Sequence, residues 1–229
     1  MKGWLKTAKE MAIRTALRRG DLRADMRIRL PSRAEMGTDE ELYVYLHQFM
    51  TIATVRGLDV IGVVSDWLRP GQVAQYIAQQ KGIDLFVIPG IELVTAENIG
   101  VLAYNIPREI PNRLTLEETL KQIKSLGGFS VLIQPSKRWT QRVNKIVQEE
   151  WAPAAIEIWC EKVSREYFDE DINPEYLTIV TSGAEIPTEL QETHIHTRIQ
   201  RKWFIDNGVM QEDTGKEFTP EYLREFEGV

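Results

Sequence analysis

Short apolar runs, largely β-branched, recur along the chain at Ala24–Leu30, Leu58–Val64, Leu85–Ile88, Ile99–Tyr104, Phe129–Ile133, Ala154–Trp159 and Leu177–Thr181. Runs of this length, bounded by turn residues, read as buried strands. Between most of them lie segments with recognisable helix starts. Thr38-Asp39-Glu40-Glu41 and Thr115-Leu116-Glu117-Glu118 each put a hydroxyl at the cap and a carboxylate three residues on, the spacing of a capping box. Gly57, Gly82 and Gly127-Gly128 stand where those helices would close before the next strand. Strands alternating with helices through short links predict parallel strands, in a doubly wound sheet or a barrel. Seven strands on a chain of 229 residues favour the barrel.

The two ends depart from this rhythm. Residues 4–19 read as a helix, with Trp4, Leu5, Ala8, Met11, Ala12 and Ala16 near one side and Lys2, Lys6, Lys9, Arg14 and Arg18 largely elsewhere. Gly20 is its natural stop. Residues 205–229 carry seven Asp and Glu against Lys216 and Arg224, and Thr219-Pro220-Glu221 predicts a short helix over 220–227. The expected organisation is a basic helix at 1–20, a barrel at 21–204 and an acidic extension at 205–229.

Charge sharpens that division. The net charge of −6 hides a basic segment, residues 1–33, with ten Lys and Arg against Glu10, Asp21 and Asp25. Such an arm suits a protein partner or a second copy of the chain, a nucleic acid, or an acidic face of its own protein. Docking through Trp4, Leu5, Met11 and Leu17 ranks ahead of nucleic acid, because the arm holds one aromatic and no recognised nucleic-acid motif. No run of eighteen apolar residues occurs, so no membrane span is expected, and the start lacks the apolar stretch of a signal peptide. A cytoplasmic location is the expectation. The single Cys160 excludes an internal disulfide and any multi-thiolate zinc site.

Several segments together resemble one family. Asp25-Met26-Arg27-Ile28-Arg29-Leu30-Pro31-Ser32 is similar to the Asp-x-His-x-His-Thr-x-x-Ser strand of the PHP family, the polymerase and histidinol phosphatase proteins. Gly57 to Trp67 resembles the family's Gly-Leu-Asp strand ending in Thr-Asp-His, and Ile88-Pro89-Gly90-Ile91-Glu92 its Ile-Pro-Gly-x-Glu. Gly100-Val101-Leu102-Ala103-Tyr104 resembles a segment that normally begins with histidine. Leu126 to Ser136 resembles a Gly-Gly strand ending in His-Pro, and Ala155-Ile156-Glu157-Ile158 the strand after it. Thr181-Ser182-Gly183-Ala184-Glu185 takes the place of Ser-Asp-Ala-His. The matches fall in family order across 24–186.

The resemblance implies a distorted seven-stranded (β/α) barrel of metal-dependent phosphoesterase ancestry, with the basic helix and the acidic extension added. Family members hold two or three metal ions with clustered His, Asp and Glu. The ions bind phosphate, lower the pKa of water and shield charge in the transition state. Here the paired histidines are Arg27 and Arg29, and those expected after Asp66, before Val101 and before Pro135 are Trp67, Gly100 and Gln134. The final Asp and His are Gly183 and Glu185, and Ala34 stands where a further acid is expected, beside Glu35. Glu92 alone is an unchanged ligand. Arginine is permanently charged and offers no lone pair, so the resemblance implies that no metal, cofactor or catalytic residue remains.

What remains would be a vestigial pocket of Arg27, Arg29, Asp66, Trp67, Glu92, Gln134 and Glu185. It would hold internal ion pairs or bind an anionic ligand bidentately. His194 and His196 face one way but fall after the last motif, and only His47 is left as another imidazole, so a metal there is not expected. The leading reading is a catalytically inactive PHP-like domain serving as a binding or structural component of a larger assembly. The alternatives are a residual or rewired phosphoesterase using Glu92, Glu185 and Asp66, and a metal-free barrel that binds RNA or DNA.

Overall fold

The computed structural model describes residues 21–210, except 34, 36–37, 134–139, 147, 161–176 and 193–195. The expected helix at 1–20, Gln134, His194 and the chain beyond 210 therefore lie outside the described residues.

In chain order the elements are β1 (Asp21–Arg29), α1 (Asp39–Val55), β2 (Val60–Ser65), α2 (Arg69–Lys81) and β3 (Phe86–Val94). There follow β4 (Gly100–Tyr104), α3 (Leu116–Ser125), β5 (Phe129–Ile133), α4 (Thr140–Ile146) and β6 (Ala155–Cys160). The last are β7 (Thr178–Thr181), α5 (Pro187–Glu192), β8 (Thr197–Gln200) and α6 (Arg201–Asp206). Both capping boxes form: Thr38 and Thr115 accept from the backbone N–H of Glu41 and Glu118, whose carboxylates return to the cap N–H.

The strands make one sheet in the order β7-β6-β5-β4-β3-β2-β1-β8, a nearly closed barrel with eight strands among the described residues rather than the expected seven. The expectation of parallel strands also fails at two places. β4 runs antiparallel to β3 and β5, and β8 antiparallel to β1. The reason at β4 is the link: only Thr95 to Ile99 separates it from β3, whereas a parallel crossover takes a dozen residues or more. The hairpin closes through Thr95 N–H to Ile99 C=O, with Asn98 left-handed at φ 60°. The second reversal, at β5, restores the direction. The carboxyl ends of β1, β2, β3, β5, β6 and β7 thus share one end of the barrel.

The barrel closes along β1, differently in its two halves. In the first half Asp21 to Ala24 pair with β8. There β8 is joined to β7 by a side chain: the Thr197 hydroxyl accepts from Val180 N–H at 2.8 Å and donates to Val180 C=O at 2.9 Å. In the second half β1 meets the end of β7 directly. Arg29 N–H donates to Ala184 C=O, and Ser182 N–H donates to the Asp25 carboxylate at 3.2 Å.

Side chains sort into an interior and an outer layer by strand alternation. Val60, Val64, Ile88, Leu102, Phe129, Val131, Ala155, Ile179 and Ile199 fill the interior with Leu22, Ala24 and Met26 of β1. Phe204, Val209 and Met210, from α6 and just past it, join the same cluster. Outside, Leu42, Leu46, Phe49 and Met50 of α1 pack on Ile61 and Val63. Leu116, Leu120 and Ile123 of α3 pack with Ile91, Val101, Leu132 and Ile156. Among the described residues no helix is long and apolar enough to cross a membrane.

Candidate functional site

β1 breaks its own alternation. Its register against β2 shifts between Asp25 and Ile28, a bulge that puts Ile28 and Leu30 into the outer cluster. Arg27 and Arg29 consequently point to the same end of the interior as Glu92 of β3 and Glu157 of β6. The bulge leaves the Arg27 N–H off the ladder, and the Asp25 carboxylate takes it at 3.3 Å, the same oxygen that accepts from Ser182. Asp25 is fully buried, and burial pushes its pKa up to about 6 against the opposing pull of Ser182, the Arg27 N–H and the Arg56 charge.

Tyr104 lies beneath this layer. Its ring crosses the interior over Gly90 and Gly62, and its hydroxyl donates to the Met26 carbonyl in the bulge. A Cβ at Gly90 would stand 2.6 Å from the Tyr104 ring, and one at Gly62 2.9 Å from its hydroxyl. Two glycines thus make room for one phenol. Burial, followed by the Glu157 charge, holds the phenol well above its ordinary pKa.

Above that floor Arg27 bridges the barrel. Nη1 meets Glu157 Oε2 at 3.0 Å and Nη2 meets Glu92 Oε1 at 2.8 Å. Glu157 is wholly inaccessible, and its other oxygen accepts from the Thr181 hydroxyl at 2.6 Å. Burial raises the Glu157 pKa, with Arg27 the chief opposing influence. Arg29 sits one layer out. Its Nε is 3.5 Å from Glu92 and its Nη1 3.0 Å from Glu185, with about half of each outer side chain exposed. Tyr45 of α1 donates its hydroxyl to the Glu185 carbonyl, fixing that loop to the helix layer.

Four of the seven expected pocket residues therefore converge: Arg27, Arg29, Glu92 and Glu185. Asp66 holds the loop after β1, accepting from Arg33 N–H at 2.9 Å and from the Ser65 hydroxyl at 3.3 Å. Trp67 carries the Arg33 guanidinium 5.3 Å from its ring centre. Gln134 lies outside the described residues. His47 is exposed on α1 beside Tyr43, and His196 accepts from Arg23 Nε at 3.3 Å at the opposite end of the barrel. Among the described residues no three His, Cys, Asp or Glu side chains gather as a metal would require.

The sequence matches no protein-family model and no curated protein. Among solved structures the chain is similar to PsfC from Pseudomonas syringae PB-5123, over 83% of this chain and 97% of that one, at 12% identity and a TM-score of 0.46. A likeness that slight carries no argument about chemistry.

Two residues of the site were not among those expected. Glu157 had a signal in the sequence, a lone carboxylate inside the apolar strand Ala155-Ile156-Glu157-Ile158-Trp159, which needs a cation or a proton when buried. Asp25 had the same signal, a carboxylate inside the apolar run Ala24–Leu30, but its partners arise from a bulge that the sequence does not announce. Chemically the cluster is closed on itself. Each arginine spans two carboxylates, and the inner guanidinium is held by carboxylates from two strands.

Proposed function

We propose that this barrel is a non-catalytic relative of the PHP phosphoesterases, retained as a binding or structural component of a larger assembly. One observation carries the reading: the Arg27 guanidinium sits between Glu92 and Glu157 at 2.8 and 3.0 Å. A fixed cation between those carboxylates leaves a metal ion neither their lone pairs nor a favourable field. The rewired-phosphoesterase alternative needs Asp66, Glu92 and Glu185 as a cooperating set. Asp66 is instead engaged by the Arg33 N–H, and the other two carboxylates are held by arginine.

The test is loading the purified protein with Mn²⁺, Zn²⁺ and Fe²⁺, removing free metal, and measuring bound metal together with hydrolysis of aryl phosphomonoesters and phosphodiesters. Metal well below one equivalent and turnover at the buffer rate are expected. One or more equivalents, with turnover abolished by Glu92→Gln, would overturn the reading. The assembly role predicts that natively isolated protein sediments in a stoichiometric complex, and a free monomer counts against it.

A further inference from the structure

α1 turns an uncharged and partly apolar face outward. From Leu42 to Val55 it has no charged residue. Its exposed stripe is Tyr43, Val44, His47, Gln48, Thr51 and Val55, with Val44 51% and Val55 83% accessible. An outward helical face normally carries charge, as α3 does with Glu117 paired to Lys121. The stripe follows the 3–4 spacing of a helix-packing seam from Tyr43 to Val55, about 20 Å at 1.5 Å per residue, beyond the acidic first turn of α1.

We propose that the outward face of α1 is the seat of the chain's own residues 1–20. Chain path, length and charge support this occupant. The segment joins β1 at Asp21. The start of β1 is bound to the link between α1 and β2 through Asp59, whose N–H donates to Arg23 C=O and whose carboxylate accepts from Arg23 N–H at 2.8 Å. The segment therefore joins β1 at the end of the barrel where α1 finishes, the Val55 end of the stripe. The sixteen positions 4–19, which the sequence predicts to be helical, would span about 24 Å, matching α1. Laid along α1 from that end, the segment would bring its first turn, with Lys2 and Lys6, to the exposed Glu40 and Glu41.

Charge also selects this segment over the acidic residues 161–176 and 211–229, which likewise lie outside the described residues. Residues 1–20 carry six Lys and Arg against Glu10, whereas 211–229 carry six Asp and Glu against Lys216 and Arg224. The acidic first turn of α1 attracts the former and repels the latter.

Hydrogen–deuterium exchange on the full chain tests the seat, with a synthetic peptide of residues 1–20 as the unprotected reference. Amides of 4–19 in the protein are expected to exchange at least about tenfold more slowly than in the peptide. The double variant Val44→Lys, Val55→Lys sets two cations against the basic segment at side chains that are exposed, and is expected to abolish that protection. Unchanged protection of β2 and β3 shows that the variant barrel is folded. Peptide-like exchange in the wild-type chain, or protection that survives the double variant, overturns the proposal. Protection that disappears on dilution overturns it too, in favour of a second copy of the chain.

Discussion

Replacing Arg27 by Met keeps much of the side-chain length and removes the charge. Glu157 then stays inaccessible with Thr181 as its hydrogen-bond partner and no cation in contact, and Glu92 keeps only the longer 3.5 Å approach of Arg29. Removing one partner of a buried ion pair costs about 3–5 kcal/mol, because the other charge is left desolvated and uncompensated. Glu157 has an escape in taking up a proton, at a cost of about 1.4 kcal/mol for each unit by which the pH exceeds its pKa. Burial already raises that pKa and Arg27 opposes the rise, so losing Arg27 raises it further. A carboxyl whose folded-state pKa lies above its unfolded value costs stability as the pH climbs through the folded pKa. The deficit of Arg27→Met is therefore largest at pH 8 and shrinks towards pH 5. Urea denaturation followed by tryptophan fluorescence measures it at both values. The double variant Arg27→Met, Glu157→Gln, which keeps an acceptor for the Thr181 hydroxyl, should recover at least half of the loss at pH 8. A single variant within about 0.5 kcal/mol of wild type at pH 8, or a deficit that grows towards pH 5, refutes the reasoning.

The other predictions concern the seam. Asp25, with its pKa raised to about 6, penalises the native state as pH rises from its ordinary value of 3.8 through 6; Asp25→Asn keeps the acceptor for Arg27 and Ser182 and should flatten that part of the stability profile, measured as Tm from pH 4 to 8. A profile unchanged by the substitution would show that the Asp25 carboxyl does not titrate there. Thr197→Val removes the hydroxyl that links β8 to β7 and leaves both Val180 backbone groups without it, at a cost of about 1–3 kcal/mol in urea denaturation. Glu185→Gln breaks an ion pair that is about half exposed and should cost under about 1 kcal/mol, with the difference vanishing in high salt; a larger, salt-insensitive loss would mean that the outer pair is as critical as the inner one.

The seven apolar runs all became strands, most of them buried on both faces, the condition under which hydrophobic pattern speaks most clearly. The eighth, Thr197-Arg198-Ile199-Gln200, buries only Ile199 and looks like a loop until β1 pairs with it. Its one signal is alternation over four residues. The reversal at β4 was not legible, because ten residues separate the runs ending at Ile88 and starting at Ile99, and only the continuation of β3 to Val94 shortens the link to five. Arg27 and Arg29 share a face through their two-residue spacing, which a bulge on their N-terminal side leaves intact.

What no spacing rule could supply is how the bulge and the cluster depend on each other. Without the register shift Met26 and Arg27 could not both turn inward, because adjacent strand residues face opposite ways. The shift leaves the Arg27 N–H and the Met26 carbonyl off the ladder. The Asp25 carboxylate takes the first and the Tyr104 hydroxyl the second, over the space left by Gly62 and Gly90. Asp25, Tyr104 and two glycines are thus the supports of a single guanidinium. That arrangement locates the specificity of the fold here in polar contacts at the seam, with the apolar interior beneath supplying most of the burial.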